Sequence, residues 1–263
     1  MRDVFIISMI VLVGAMTTSV LADFSYTDFS STNGLTLVGN SSQYQNGLRL
    51  APAASWQVGA VWNSSKQFVQ TGFETDFTFQ ISNSTELLHG DGFAFVIQND
   101  SLSAIGQAGF NLGYGGINNN IAIEFDTYQN SRLYHNSDDP SHNHVSVQVI
   151  GAYPYQTDIA NSIGYTSDIT NMIEGVHSVN IKYTDGVLAI TFDNQNQPNL
   201  SIPMVIGSFM NSDAGKAWVG FTASTGSGCQ NHDILNWSFV ETPEPATLLL
   251  LGLGGLFFRR KKH

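Results

Sequence analysis

One cysteine, Cys229, occurs in the 263 residues, so no disulfide can close within the chain and stability has to come from a packed core or a bound metal. The lone thiol reads as an unpaired loop residue, with pairing between molecules as the alternative. Basic residues are scarce too: 10 Lys and Arg face 21 Asp and Glu, a net charge of −11. An acidic chain repels phosphate backbones, which argues against a nucleic-acid partner and for divalent cations. Between residues 23 and 242 no stretch keeps a 3.6-residue apolar stripe beyond a couple of turns, and no Pro-rich or Ser-Gly linker or internal repeat divides the region. A helical fold and a string of small domains are both excluded. The glycines at 113, 115 and 116 lack a following Lys-Ser or Lys-Thr and a helix pattern, so they do not form a phosphate loop.

Long apolar runs are confined to the two ends. Arg2 precedes an apolar stretch from Val4 to Met16, and Val20-Leu21-Ala22 then leads into Asp23, the layout of a secretory signal peptide over residues 1–22. At the other end Pro243-Glu244-Pro245 introduces an apolar run from Ala246 to Phe258, closed by Arg259-Arg260-Lys261-Lys262. As a helix that run rises about 20 Å, short of the ~30 Å hydrocarbon core, and the basic cluster holds its end on the cytoplasmic side. Without both ends, five basic and 19 acidic residues remain, a net charge of −14 for residues 23–242.

What the interior does contain is strand signal. Gly72–Ile81, Gly92–Ile97, Ile121–Phe125, His144–Val149, His177–Tyr183, Val187–Phe192 and Ala217–Thr222 alternate with period two or run apolar, and strand pattern continues to Phe239. Asp185-Gly186 between two of these runs supplies the positive φ angles of a hairpin turn. The expected architecture is all-β, a jelly-roll β-sandwich over residues 23–240.

The chemistry concentrates in one segment. Glu124 and Asp126 stand at i and i+2 of a strand, so both carboxylates project from one face and repel unless a cation or proton neutralises them. Asn130, Asp139 and His144 follow with an amide oxygen, a carboxylate and an imidazole. Oxygen donors suit Ca²⁺, and an imidazole among carboxylates suits Mn²⁺ or a similar transition ion. Solvated acidic turns are the plain alternative for such a cluster.

Ile121-Ala-Ile-Glu-Phe-Asp-Thr-Tyr-Gln-Asn130, Asp139-Pro140 and His144-Val-Ser-Val147 resemble the metal-binding signature of the legume-type (L-type) lectins. Gly90-Asp91-Gly92-Phe93-Ala94-Phe95 resembles the loop that carries that family's sugar-binding aspartate, and Val219 to Gly226 with His232 to Phe239 resembles its closing strands. The resemblance implies a metal-dependent carbohydrate binder. The transition-metal ligands would be Glu124, Asp126, Asp139 and His144; the calcium ligands Asp126, Asn130, Asp139 and the Tyr128 carbonyl. It further implies sugar contacts from Asp91, Asn130, the Tyr128 ring and a backbone amide in the loop 108–116, for which Gly109 is favoured. Ser227 and Gly228, with Gln230, are implied to tune specificity. This chain departs from the pattern in its enlarged segment from Ser131 to Asp138, which makes Asp138 a rival to Asp139, and in a glycine loop that does not align cleanly. The tail at 241–263 resembles the PEP-CTERM sorting signal of exopolysaccharide-producing Gram-negative bacteria, which implies processing by an exosortase. Membrane contact is then through that segment before processing, and the product sits in the envelope, at the outer surface or in the matrix, with a glycan or exopolysaccharide as partner.

Two rival readings remain open at this stage. A jelly-roll glycoside hydrolase also places carboxylates on one strand face, but the position of a second catalytic glutamate in its Glu-x-Asp-x-x-Glu pattern is Gln129, which neither protonates nor attacks, so the expectation is a non-enzyme. A structural surface protein with a decayed sugar site is the other.

Overall fold

The computed structural model describes residues 23–83, 89–131, 138–149 and 159–242. The leader, the tail and the enlarged part of the segment before Asp138 lie outside these residues. No helix among the described residues is long and apolar enough to cross a membrane.

The described chain runs through sixteen strands. The first six are β1 (Phe24–Tyr26), β2 (Leu35–Gly39), β3 (Ser42–Tyr44), β4 (Gly47–Ala51), β5 (Val58–Asn63) and β6 (Gln67–Phe68). The middle of the chain gives β7 (Gly72–Ser82), β8 (Gly92–Gln98), β9 (Asn120–Asp126), β10 (His144–Val149) and β11 (Ser162–Thr166). Last come β12 (Val176–Thr184), β13 (Val187–Phe192), β14 (Leu200–Pro203), β15 (Lys216–Ser224) and β16 (Asn231–Glu241). They form two antiparallel sheets, one in the order β14-β13-β12-β7-β16-β4-β3 with β1 beside β16, the other in the order β11-β10-β9-β8-β15-β5-β2 with β6 beside β15. This is the jelly-roll sandwich expected from the alternation, and all seven strand segments read from the sequence lie in it. The turn between β12 and β13 is built on Asp185 (φ 51°) and Gly186 (φ 73°), as the Asp-Gly pair requires.

The second sheet is buried on both faces, and that fact positions the site. Its inward residues Phe93, Phe95, Ile123, Phe125, Val145, Val147 and Phe221 join the main core between the sheets. There Phe93 stacks on Phe125 with centroids 4.7 Å apart, and Phe77 from the facing sheet meets Phe221 edge-on at 4.9 Å. The outward residues Ala60, Trp62, Ala94, Val96 and Ala122 pack under Leu112, Tyr114 and Ile117, forming a second, smaller core beneath the loop 99–119. Trp62 Nε1 donates to the Ala104 carbonyl (2.9 Å) and Thr222 Oγ1 to the Leu112 carbonyl (2.8 Å), which pins that loop to the sheet.

Phe125 lies between the two outward carboxylates of β9 and anchors them to the main core. Its truncation leaves a large cavity next to Phe77, Phe79 and Phe93. The expected loss for Phe125→Ala is about 3–5 kcal/mol of unfolding free energy in urea, and a loss under about 1 kcal/mol would show that β9 is not held in this way.

Candidate functional site

Alternation along β9 sends Phe125 inward and Glu124 and Asp126 outward, under the cover of loop 99–119. Antiparallel pairing sets His144 opposite Asp126 and Ser146 opposite Glu124, so the outward face of β10 completes the cluster. Each member is engaged. Tyr114 donates to one oxygen of Glu124 and Ser146 to the other, which also accepts from Gln148 Nε2 at 3.1 Å. Complete burial raises the Glu124 pKa to about 7 even against those three donors. Burial and the facing charges of Asp139 and Glu124 push Asp126 well above the usual carboxylate range.

The segment after β9 curls around Asp139. The Tyr128 amide donates to Asp126 Oδ1 (2.7 Å), and the Asn130 amide to Asp139 Oδ2 (2.7 Å). In return the Asp139 amide donates to the Asn130 carbonyl (3.0 Å), while Gln129 Nε2 donates to the Asp139 carbonyl (3.0 Å). Asp139 is buried and Asp138 is exposed, so Asp139 is the one that faces the cluster. His144 is buried, its Nδ1 lies 2.9 Å from the Ser141 carbonyl, and burial lowers its pKa to about 4. It is therefore a neutral imidazole with Nδ1 protonated and the Nε2 lone pair available. Among the described residues no three His, Cys, Asp or Glu side chains are gathered into a metal cage.

Asp91 sits beside this cluster at the entry to β8, after a cis Gly90–Asp91 peptide. Its amide donates to the Ser224 carbonyl (3.1 Å), and its own carbonyl accepts from the Thr127 amide (2.9 Å) and from Thr127 Oγ1 (3.1 Å). Thr127 in turn accepts from Gln230 Nε2, which also touches His232 Nε2 (3.0 Å). Burial holds His232 neutral, with a pKa of about 3. The Asp91 carboxyl takes a bond from the Gly226 amide, yet Oδ2 is buried with no partner, and burial raises the pKa to about 7.

Three glycines open the space above Asp91. A Cβ at Gly226 would stand 3.0 Å from Asp91 Oδ2 and 3.6 Å from the Gly109 Cα. A Cβ on Gly90 would fall 3.0 Å from Tyr128 Cβ, so the Tyr128 side chain lies on the Gly90 backbone while 37% of it stays exposed. Asn130 is half-buried, Ser227 exposed and Gly228 buried. Gly109 requires a correction. It is at the opening, but its amide donates to the Thr225 carbonyl at 3.1 Å, so the group expected to reach a sugar is spent within the fold. Cys229 is a free thiol, half-buried in the loop after β15.

Thr127, Gln230, His232 and Gly226 support this arrangement, and the sequence reading gave them no such part. Thr127 is the fully buried link within the quoted motif, and its hydroxyl is its only signal in the sequence. Tyr114 reads in the sequence only as part of a loop, although it is a fully buried phenol that donates to Glu124. Tyr114→Phe removes that donor from a buried carboxylate, and the unfolding free energy in urea is expected to fall by about 1–3 kcal/mol. An unchanged value would show that Glu124 does not depend on it.

Comparison with known proteins agrees with the geometry. The model of the legume lectin β-barrel domain matches residues 25–237, and that of the PEP-CTERM protein-sorting motif matches residues 241–262, which carries export and sorting with it. A putative bark agglutinin of Robinia pseudoacacia is 25% identical over 244 residues, covering 85% of this chain and 83% of its own length. The chain also matches receptor kinases of Arabidopsis thaliana that contain an L-type lectin domain, and it spans about a third of their length. Among solved structures, the metal-free form of lectin I-B4 from Griffonia simplicifolia shares the fold with a TM-score of 0.67 at 22% identity, over 84% of this chain and 99% of that one. The VIP36 exoplasmic/lumenal domain in its Ca²⁺/Man3GlcNAc-bound form does so with a TM-score of 0.62 at 20% identity, over 84% and 89%. The domain between the two ends, with its outward carboxylates and glycine-framed aspartate, thus belongs to the legume lectin family.

Proposed function

We propose that this chain is a metal-dependent glycan-binding protein whose sugar site is the opening framed by Gly90, Gly109 and Gly226, with Asp91 at its base, Tyr128 on its rim and Asn130 beside it. The observation that carries this reading is the Asp91 carboxyl: Oδ2 is buried without a partner, in space that a single Cβ would fill. A buried acceptor left open costs free energy unless something supplies a donor, and sugar hydroxyls are donors of the right size. The amide of Asn130 complements it as a donor, and the exposed Tyr128 ring offers a surface to the apolar face of a pyranose.

The donor set fits a divalent cation. Asp126, Asp139, the Asn130 side chain and the Tyr128 carbonyl are oxygen donors of the kind calcium takes, and the repulsion that raises the Asp126 pKa is what a cation relieves. For a transition ion such as Mn²⁺ the residues would be Glu124, Asp126, Asp139 and His144, whose imidazole is neutral and oriented by Ser141. When bound, the cations neutralise the carboxylates and hold the Asn130 segment in one conformation, which lowers the ordering cost of sugar binding. Glu124 is fixed between Tyr114, Ser146 and Gln148, and Gln129 stands where a second catalytic carboxylate would be, which supports a binding site over a hydrolytic one. The sorting motif and this site together support an exported product at the cell surface or in the matrix that meets exopolysaccharide or a neighbouring cell's glycan.

Glycan-array binding by the purified domain in Ca²⁺ and Mn²⁺ is expected, without sugar release, and EDTA is expected to abolish it. Asp91→Ala and Asn130→Ala should each weaken it about 10- to 100-fold. Absence of binding to every glycan with both metals present would overturn the reading.

A further inference from the structure

Next to the same opening stands a large aromatic side chain that folding does not explain. Trp56 lies in the turn between β4 and β5, is 64% exposed, and has a φ of 59°. A bulky residue in the left-handed region is disfavoured, and a tryptophan left in water recovers little of that cost by burial. The other three tryptophans behave differently: Trp62 and Trp237 are buried, and Trp218 packs against Lys66.

The turn is held rigidly, and it is held to the sugar site. The Trp56 amide donates to the Gly226 carbonyl (3.0 Å), the Gln57 amide to Thr225 Oγ1 (2.9 Å), and the Thr225 amide to the Gln57 carbonyl (3.0 Å). Thr225 Oγ1 donates in turn to the Ala54 carbonyl (2.6 Å). Gly226 is therefore clamped on one side to Trp56 and on the other, through its amide, to the Asp91 carboxyl. The indole reaches Gly109, where a Cβ would stand 3.4 Å from Trp56 Cζ3. Gly109 thus adjoins both the space over Asp91 and the indole edge.

We infer that Trp56 is a second subsite, on which the sugar residue next to the one held by Asp91 stacks its apolar face, so that the preferred ligand is an oligosaccharide and not a monosaccharide. This rests on Asp91 being the base of a sugar site. An indole carried on a backbone held at these points has only two side-chain torsions left to order on binding, and C–H groups of a pyranose ring meet its π face. The neighbouring Gly109 and Gly226 place no side chain of their own between the two positions.

The test uses the strongest oligosaccharide found on a glycan array and, as a free sugar, the monosaccharide at its bound end, titrated calorimetrically in Ca²⁺ and Mn²⁺. Trp56→Ala is expected to lower affinity for the oligosaccharide about five- to tenfold and leave the monosaccharide within about twofold, with Trp56→Phe recovering most of the loss. Trp56→Gly, which accepts the positive φ, should show the same loss with its thermal midpoint maintained. Equal oligosaccharide affinity for wild type and Trp56→Ala would overturn the subsite while leaving the Asp91 site standing. A parallel loss for both sugars would overturn it as well, since that marks a merely structural residue. Failure of wild type to bind any glycan would remove the sugar site and the subsite together.

Discussion

Carboxylates withdrawn from water and turned toward one another have to be neutralised, and the region around β9 is organised by that requirement. Asp126 faces Asp139 and Glu124 beneath the loop 99–119, where water screens little. The three acids meet the problem differently. Glu124 is answered by hydroxyl and amide donors from Tyr114, Ser146 and Gln148, whereas Asp126 and Asp139 each receive a backbone amide of the segment between them. The two aspartates thereby hold the segment between them by its backbone, Asn130 included.

The fold was legible because its signals are local. Period-two alternation located the strands, and the Asp-Gly pair located a turn. At β9 the same alternation separated Phe125 from its acidic neighbours before any pairing was known. What could not be read was which distant segments meet. Gly226 approaches Asp91 and Gly109 through the pairing of β15 with β8, which sets Gly220 opposite Val96 and Ser224 opposite Gly92 although the two strands are far apart in the chain. Trp56 gave no sign in its own turn, because its meaning lies in the loop it is bonded to.

The glycine loop shows the limit of carrying a role across by resemblance. Gly109 lies beside Asp91 and Gly226, but a backbone amide has one proton to donate, and it is donated to the Thr225 carbonyl. Asp138 and Asp139, by contrast, differ in burial. One of two adjacent residues faces inward, and the pattern of bonds to Asn130 identifies it.

The sheet that bears these groups carries two separate apolar layers, aromatic-rich between the sheets and small-residue-rich beneath the loop. Division of this kind decouples persistence from novelty. The inner layer maintains the scaffold, and the outer one supports segments whose lengths and side chains can drift between lineages with little disturbance to the rings behind them. A recognition surface placed there is free to diversify.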